Sequence, residues 1–77
     1  MNNFDRYDKA LAIDPLEAAT LALTFASGCG SKANCWNWAD RAISAAKQAG
    51  VTLDPGRASW PDLPGMTDQL QRRGVRP

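Results

Sequence analysis

Hydrophobic side chains recur at helical spacing from the beginning of the chain. Phe4, Tyr7 and Leu11 stand at positions i, i+3 and i+7, so they share one face of a helix, and charged side chains occupy other positions between them. Asp14-Pro15 follows this pattern, and proline disfavours helical geometry in the residue before it. The spacing therefore predicts a first helix over residues 3–13.

A second helix is predicted over residues 15–27. Asp14 is a good N-cap, Pro15 suits the first helical position, and Glu17 stands three residues after the cap, as in a capping box. The helix is apolar nearly all round, which is typical of a helix in the centre of a fold. Gly28 supplies its stop signal, because glycine tolerates the left-handed backbone conformation that commonly ends a helix.

A third helix is predicted from about residue 34 to residue 49, stopped by Gly50, with Val51 placed to pack back on it. Its apolar face consists mainly of alanines: Cys35, Trp38, Ala39, Ala42, Ile43, Ala45, Ala46 and Ala49. Because alanine has little bulk, a neighbouring helix can approach closely. The predicted core is therefore thin, with Trp38 and Phe25 supplying much of its volume.

The remainder of the chain is rich in proline and glycine. Turn signals stand at Asp54-Pro55-Gly56 and over residues 60–65, and residues 66–73 can form a short fourth helix stopped by Gly74. No segment alternates long enough with the period of two that indicates a strand. The predicted fold is mainly α, with one small domain over residues 1–77. It contains a three-helix bundle, or a four-helix bundle if the last segment is helical, and an irregular C-terminal segment.

Composition and charge are those of an ordinary globular domain. Of the 77 residues, 44% are hydrophobic and 22% are charged, and 9 basic residues against 8 acidic ones give a formal net charge of +1. Domains that bind by neutralising phosphates usually carry a clear basic excess. The sequence shows neither a secretory signal at its start nor an apolar run long enough to span a bilayer. We therefore expect a cytoplasmic protein without membrane contact.

The residues needed for familiar catalytic chemistry are missing. The sequence contains no histidine, which excludes a Ser-His-Asp or Cys-His arrangement and a histidine-bearing zinc site. Two cysteines are too few for a structural zinc site. The glycines that precede Ser31-Lys32 follow a helix rather than a strand, which is the wrong context for a phosphate-binding loop. We therefore expect no enzymatic activity, no catalytic residue, no cofactor and no metal.

Cys29 and Cys35 allow three interpretations. In the first, both are reduced and at least one packs as a small apolar group, since the cytoplasm keeps thiols reduced. The second is a disulfide across the loop. The third is a reactive thiol at Cys35, whose thiolate would be favoured near a helix N-terminus.

Tryptophan and arginine side chains are the main candidates for contact with a partner. Trp36 and Trp38 stand two apart on one helix, so they cannot face the same core. Trp38 fits the apolar face, and Trp36 is either exposed or covered by the C-terminal segment. Trp60 either closes its proline-flanked loop over the helices or anchors an interface, because Trp and Arg are enriched in binding hot spots. The predicted protein-contact residues are Trp36, Asp40, Arg41, Trp60, Arg72 and Arg73, the last two within a short basic tail over residues 72–77.

These observations are compatible with three functions. The first is a non-catalytic protein-binding module, which fits the profile of phage or mobile-element inhibitors and adaptors of bacterial host complexes, anti-CRISPR proteins among them, with no motif behind the likeness. The second is a small helix-turn-helix-like nucleic-acid-binding protein that reads through the polar face of its third helix: Asn37, Arg41, Ser44, Lys47 and Gln48. The third is a self-assembling structural subunit or homo-oligomer, because a short chain with a thin core gains stability from association. The near-neutral charge, with Asp40 in the middle of that polar face, favours the protein partner.

Overall fold

The computed structural model describes residues 2–73, which form four α-helices and no strand. The helices are α1 (Asn3–Ile13), α2 (Pro15–Ser27), α3 (Lys32–Gln48) and α4 (Leu63–Arg73). α2 is central, because it packs most extensively against α3 and also contacts α1 and α4. The predicted mainly α bundle is confirmed, in its four-helix form. None of the described helices has the length and apolar character needed to cross a membrane.

Side-chain caps fix the starts of the first three helices. Oxygen atoms of Asn2, Asp14 and Ser31 accept backbone N–H bonds in the first turns of α1, α2 and α3, at 2.9, 3.1 and 3.2 Å. The bounds of α1 and α2 coincide with the predicted ones. α3 begins at Lys32, before the predicted start at about residue 34, because Ser31 rather than a later residue is its cap.

The two helix-ending glycines differ in conformation. Gly28 ends α2 with φ −91°, so the left-handed geometry predicted there is wrong. Gly50 has φ +81° and lies in a Schellman motif, in which its own N–H donates to the Lys47 carbonyl at 3.0 Å and the Val51 N–H donates to the Ala46 carbonyl at 2.9 Å. Val51 is buried against the bundle, as its spacing predicts.

Replacing Gly50 with alanine is expected to lower the free energy of unfolding by about 1 kcal/mol, because alanine is strained at a positive φ. An added Cβ would meet no atom within 4 Å, so backbone strain alone causes the loss. Gly30→Ala is the matched control, since Gly30 has no positive φ and also has open space around it. Urea unfolding measures both variants, and an equal loss in the two would contradict this explanation.

The core between α2 and α3 is built from alanines. Across residues 2–73, nine of the 17 buried hydrophobic residues are alanines, one on α1 and eight on α2 and α3: Ala10, Ala18, Ala19, Ala22, Ala26, Ala39, Ala42, Ala45 and Ala46. Small side chains let the two helix backbones approach closely, as predicted. Ala49 is an exception, because it caps α3 and is exposed rather than part of the apolar face. Phe25 is only half-buried, and the largest fully buried side chain is Met66 of α4.

α4 begins at Leu63, three residues before the predicted start at residue 66. Asp62 acts as its N-cap, because the carboxylate Oδ1 accepts the Gly65 N–H at 3.1 Å and the Asp62 carbonyl accepts the Met66 N–H at 2.9 Å. Pro64 is tolerated because backbone N–H groups in the first turn have no helical partner. The proline and glycine that predicted a turn therefore stand in the first turn of a helix.

Residues 49–62 connect α3 to α4 and are held by polar contacts with α4. The side-chain amide of Gln69 accepts the Asp54 N–H at 2.7 Å and donates to the Asp54 carbonyl at 3.1 Å. The predicted turn follows at once, with Gly56 at φ +80° and its N–H bonded to the Asp54 carboxylate at 2.9 Å. The last described residue, Arg73, donates to the Thr52 carbonyl at 3.1 Å. The start of the predicted basic tail is thus helical, and residues 74–77 lie outside the described residues.

Candidate functional site

One side of α3 carries a row of partly exposed side chains. Residues 49–62, which connect α3 to α4, run back along this row. Trp36, Asp40, Ile43 and Lys47 stand at i, i+4, i+7 and i+11, so they share this side of the helix. The connection runs beside them from residues 51–53 at one end to residues 59–60 at the other. We call the surface formed by these four residues with residues 51–53 and 59–60 the tryptophan face.

A groove occupies the end of the tryptophan face near the C-terminus of α3. It has a volume of about 340 Å³, is open to solvent, and is lined by Ile43, Lys47, Val51, Thr52 and Leu53. Val51 and Leu53 are buried and form an apolar floor, whereas Lys47 is exposed. This arrangement can receive an apolar side chain and place a positive charge beside it.

Trp36 and Trp60 occupy the other end of the tryptophan face. The indole N–H of Trp36 donates to the Ser59 carbonyl at 2.8 Å, so the connection covers Trp36 in part, which was one of its two predicted positions. Trp60 remains 48% exposed, and the neighbouring Pro61 is buried instead. Trp60 therefore covers the helices at most in part, and about half of its surface is open to a partner.

The predicted contact residues fall in different places. Trp36, Asp40 and Trp60 lie on the tryptophan face, and Arg73 reaches its edge through the Thr52 carbonyl. Arg72 is exposed on α4 and forms an ion pair with Asp68 at 3.1 Å, one helical turn away. The remaining residue, Arg41, belongs to a second surface.

The second surface is a cluster of aromatic rings and guanidinium groups between α1, α2 and α3. Trp38 is at its centre, with ring centroids of Phe4 at 4.9 Å in a stacked arrangement, of Phe25 at 5.0 Å and of Tyr7 at 6.0 Å in edge contacts. The Arg41 guanidinium lies 4.9 Å from the Phe4 centroid and 5.2 Å from the Trp38 centroid. We call the cluster the aromatic–arginine patch: Phe4, Arg6, Tyr7, Phe25, Trp38 and Arg41.

Phe4 and Arg6 are surface residues of this patch that the sequence did not predict as contact residues. Phe4 is 50% exposed, although its spacing with Tyr7 places it on the predicted apolar face of α1. Arg6 is exposed and lies over the Phe25 ring, with its guanidinium carbon 5.5 Å from the centroid. The helical spacing of Phe4 was the available signal, but Trp38, against whose ring it stacks, belongs to α3.

Tyr7 links α1 to α3 beneath the patch. Its hydroxyl donates to the Arg41 carbonyl at 3.0 Å. Burial raises the pKa of the Tyr7 phenol, while the positive charge of Arg41 opposes this shift. The hydroxyl therefore stays protonated, and available as a donor, through the neutral pH range.

Both cysteines are free, as in the reduced interpretation. Cys35 is buried, and this burial raises the pKa of its thiol, with a smaller contribution from Cys29. This direction is opposite to the lowered pKa that the interpretation of Cys35 as a reactive thiol requires. The Cys29 thiol donates to the Phe25 carbonyl at 3.2 Å.

Comparisons of the chain with protein-family models, with curated proteins and with solved structures give no match. The fold and surfaces define a small four-helix protein with an alanine-rich core and two surfaces that carry exposed aromatic side chains. Functional inference therefore rests on those surfaces.

Proposed function

We propose that this chain is a non-catalytic protein-binding module that contacts its partner through the tryptophan face. One observation carries the proposal: Trp60 is 48% exposed although its neighbours are held in place. Ser59 is bonded to Trp36, and Pro61 is buried. A large aromatic side chain on an ordered loop loses little conformational entropy on binding, which is a property of interface hot spots.

The groove extends the same face and adds chemical specificity. A partner that covers Trp60 can place an apolar side chain over Val51 and Leu53, which form the groove floor. Asp40 and Lys47 are exposed along the row and carry opposite charges. Opposite charges at a rim favour one orientation of a partner, because the reversed orientation brings like charges together.

A nucleic-acid partner has weaker support. The net charge of the chain is +1, and Arg41, the main arginine of the predicted reading face, lies over the Phe4 and Trp38 rings. For self-association, the chain offers Ile13 of α1, which at 83% is the most exposed large apolar side chain of residues 2–73.

Affinity capture with two matched variants tests the proposal. Because the sequence fits the profile of phage or mobile-element proteins, a bacterial lysate is used as the source of partners. Capture is performed with and without nuclease. The wild-type chain is expected to retain a protein after nuclease treatment. Trp60→Ala should weaken that retained complex about thirtyfold, since a hot-spot residue contributes about 2 kcal/mol. Ile13→Ala, which removes an exposed apolar side chain elsewhere, should bind as the wild type does.

Three outcomes contradict the proposal. Retained material that disappears with nuclease would indicate a nucleic-acid partner. Equal binding by the wild-type and Trp60→Ala chains would remove the tryptophan face from the interface. An apparent mass that rises with concentration and falls back in Ile13→Ala would indicate self-association instead.

A further inference from the structure

We propose that the aromatic–arginine patch is a second docking surface, and that its occupant is an acidic segment of a protein. The patch presents Phe4, which is 50% exposed, together with the guanidinium groups of Arg6 and Arg41. Arginine is among the residue types most enriched in interface hot spots, and the patch presents two arginines beside the half-exposed Phe4 ring. The proposal is independent of the tryptophan face and adds a second contact.

Both guanidinium groups are held in place without a carboxylate partner. Arg6 lies over the Phe25 ring and Arg41 over the Phe4 and Trp38 rings, and across residues 2–73 neither has an acidic oxygen within 4.0 Å. Arg41 makes one long hydrogen bond to the Asn37 carbonyl, at 3.4 Å. An arginine has five N–H donors, so most of them remain available. Stacking restricts the side chain while leaving the edges of the planar group free for a carboxylate.

The charges around the patch favour separate carboxylates over a nucleic-acid backbone. Asp8 stands one turn after Phe4 on α1, close enough to influence the Tyr7 phenol. A polymer with a phosphate at every residue would bring negative charge against this carboxylate as well as toward the arginines. A protein segment can place its carboxylates at the arginines alone and its apolar side chain against Phe4.

The three tryptophans supply separate reporters for the two surfaces. Trp38 lies within the aromatic–arginine patch, whereas Trp36 and Trp60 lie on the tryptophan face. The indole N–H of each gives its own signal in a two-dimensional NMR spectrum of the ¹⁵N-labelled chain. Binding at one surface can therefore be measured independently of the other.

The experiment titrates the labelled chain with a short synthetic peptide of glutamates around one central leucine. A peptide with glutamine in place of every glutamate and a DNA oligonucleotide are titrated in parallel. The acidic peptide is expected to shift the signals of Trp38 and of the Arg6 and Arg41 Nε–H groups, while Trp36 and Trp60 stay in place. Arg6→Gln and Arg41→Gln should each weaken binding about tenfold or more, because each loses charge-assisted hydrogen bonds.

Arg72→Gln is the matched control, because it removes the same charge from an exposed arginine that pairs with Asp68 on α4. It should leave the affinity unchanged, and thermal unfolding confirms that each variant is folded. Equal binding of the acidic and glutamine peptides would overturn the proposal. So would an Arg72→Gln loss as large as that of Arg6→Gln, or tighter binding of the oligonucleotide at Trp38. The Trp60→Ala capture experiment tests only the tryptophan face, and the peptide titration tests only the aromatic–arginine patch. Failure of one proposal can therefore be distinguished from failure of the other.

Discussion

Replacing Trp38 with alanine is expected to lower the free energy of unfolding by about 3–5 kcal/mol. Trp38 is 6% exposed and is the common neighbour of the Phe4, Tyr7 and Phe25 rings, so its removal leaves a cavity and breaks three aromatic contacts. The surrounding core is rich in alanines, which are too short to fill that cavity. Domains of this size have about 4–12 kcal/mol of stability in total, so the loss removes a large share.

Urea unfolding followed by circular dichroism measures this loss. Trp60→Ala is the control, because it deletes the same side chain from a position that is 48% exposed. The control is expected to lower the free energy of unfolding by clearly less than Trp38→Ala does, because about half of Trp60 is already exposed in the folded chain. Similar losses in the two variants would mean that Trp60 supports the fold and is not a free contact residue.

Replacing Met66 with alanine is expected to lower the free energy of unfolding by about 2–5 kcal/mol. Met66 is fully buried and is one of two buried side chains of α4, the other being Leu70. α4 has few other means of attachment to the bundle, because its polar contacts with Thr52 and Asp54 lie on exposed atoms. Met66→Leu nearly conserves the volume and should cost less than about 1.5 kcal/mol.

The Met66 variants also test how α4 supports the tryptophan face. Arg73 bonds to Thr52 in the groove, and Gln69 bonds to Asp54 just beyond it, so detachment of α4 releases the chain that forms one wall. Hydrogen exchange of the Asp54 amide, whose N–H donates to Gln69, should quicken in Met66→Ala and stay slow in Met66→Leu. Equal protection in both variants would show that this wall is held without α4.

Local sequence determined the helices and most of their ends. Asp14-Pro15 separates α1 from α2 because one residue pair both stops a helix and caps the next. Gly50 ends α3 because its left-handed backbone is accessible to glycine and strained for other residues. Helical spacing also placed Trp38 and most of the alanines on the buried face. These features depend on residues within a few positions of each other, so they can be derived from the sequence alone.

The tertiary structure decided which side chains share a surface. Arg41 was grouped by helical spacing with the polar residues of α3, but the fold places it over Phe4, which is 37 positions earlier in the chain. For Trp60, the sequence leaves loop closure and an interface role both open, and the fold leaves 48% of the residue exposed beside the buried Pro61. Such outcomes depend on which distant segment packs at each position, and spacing within one helix does not contain that information.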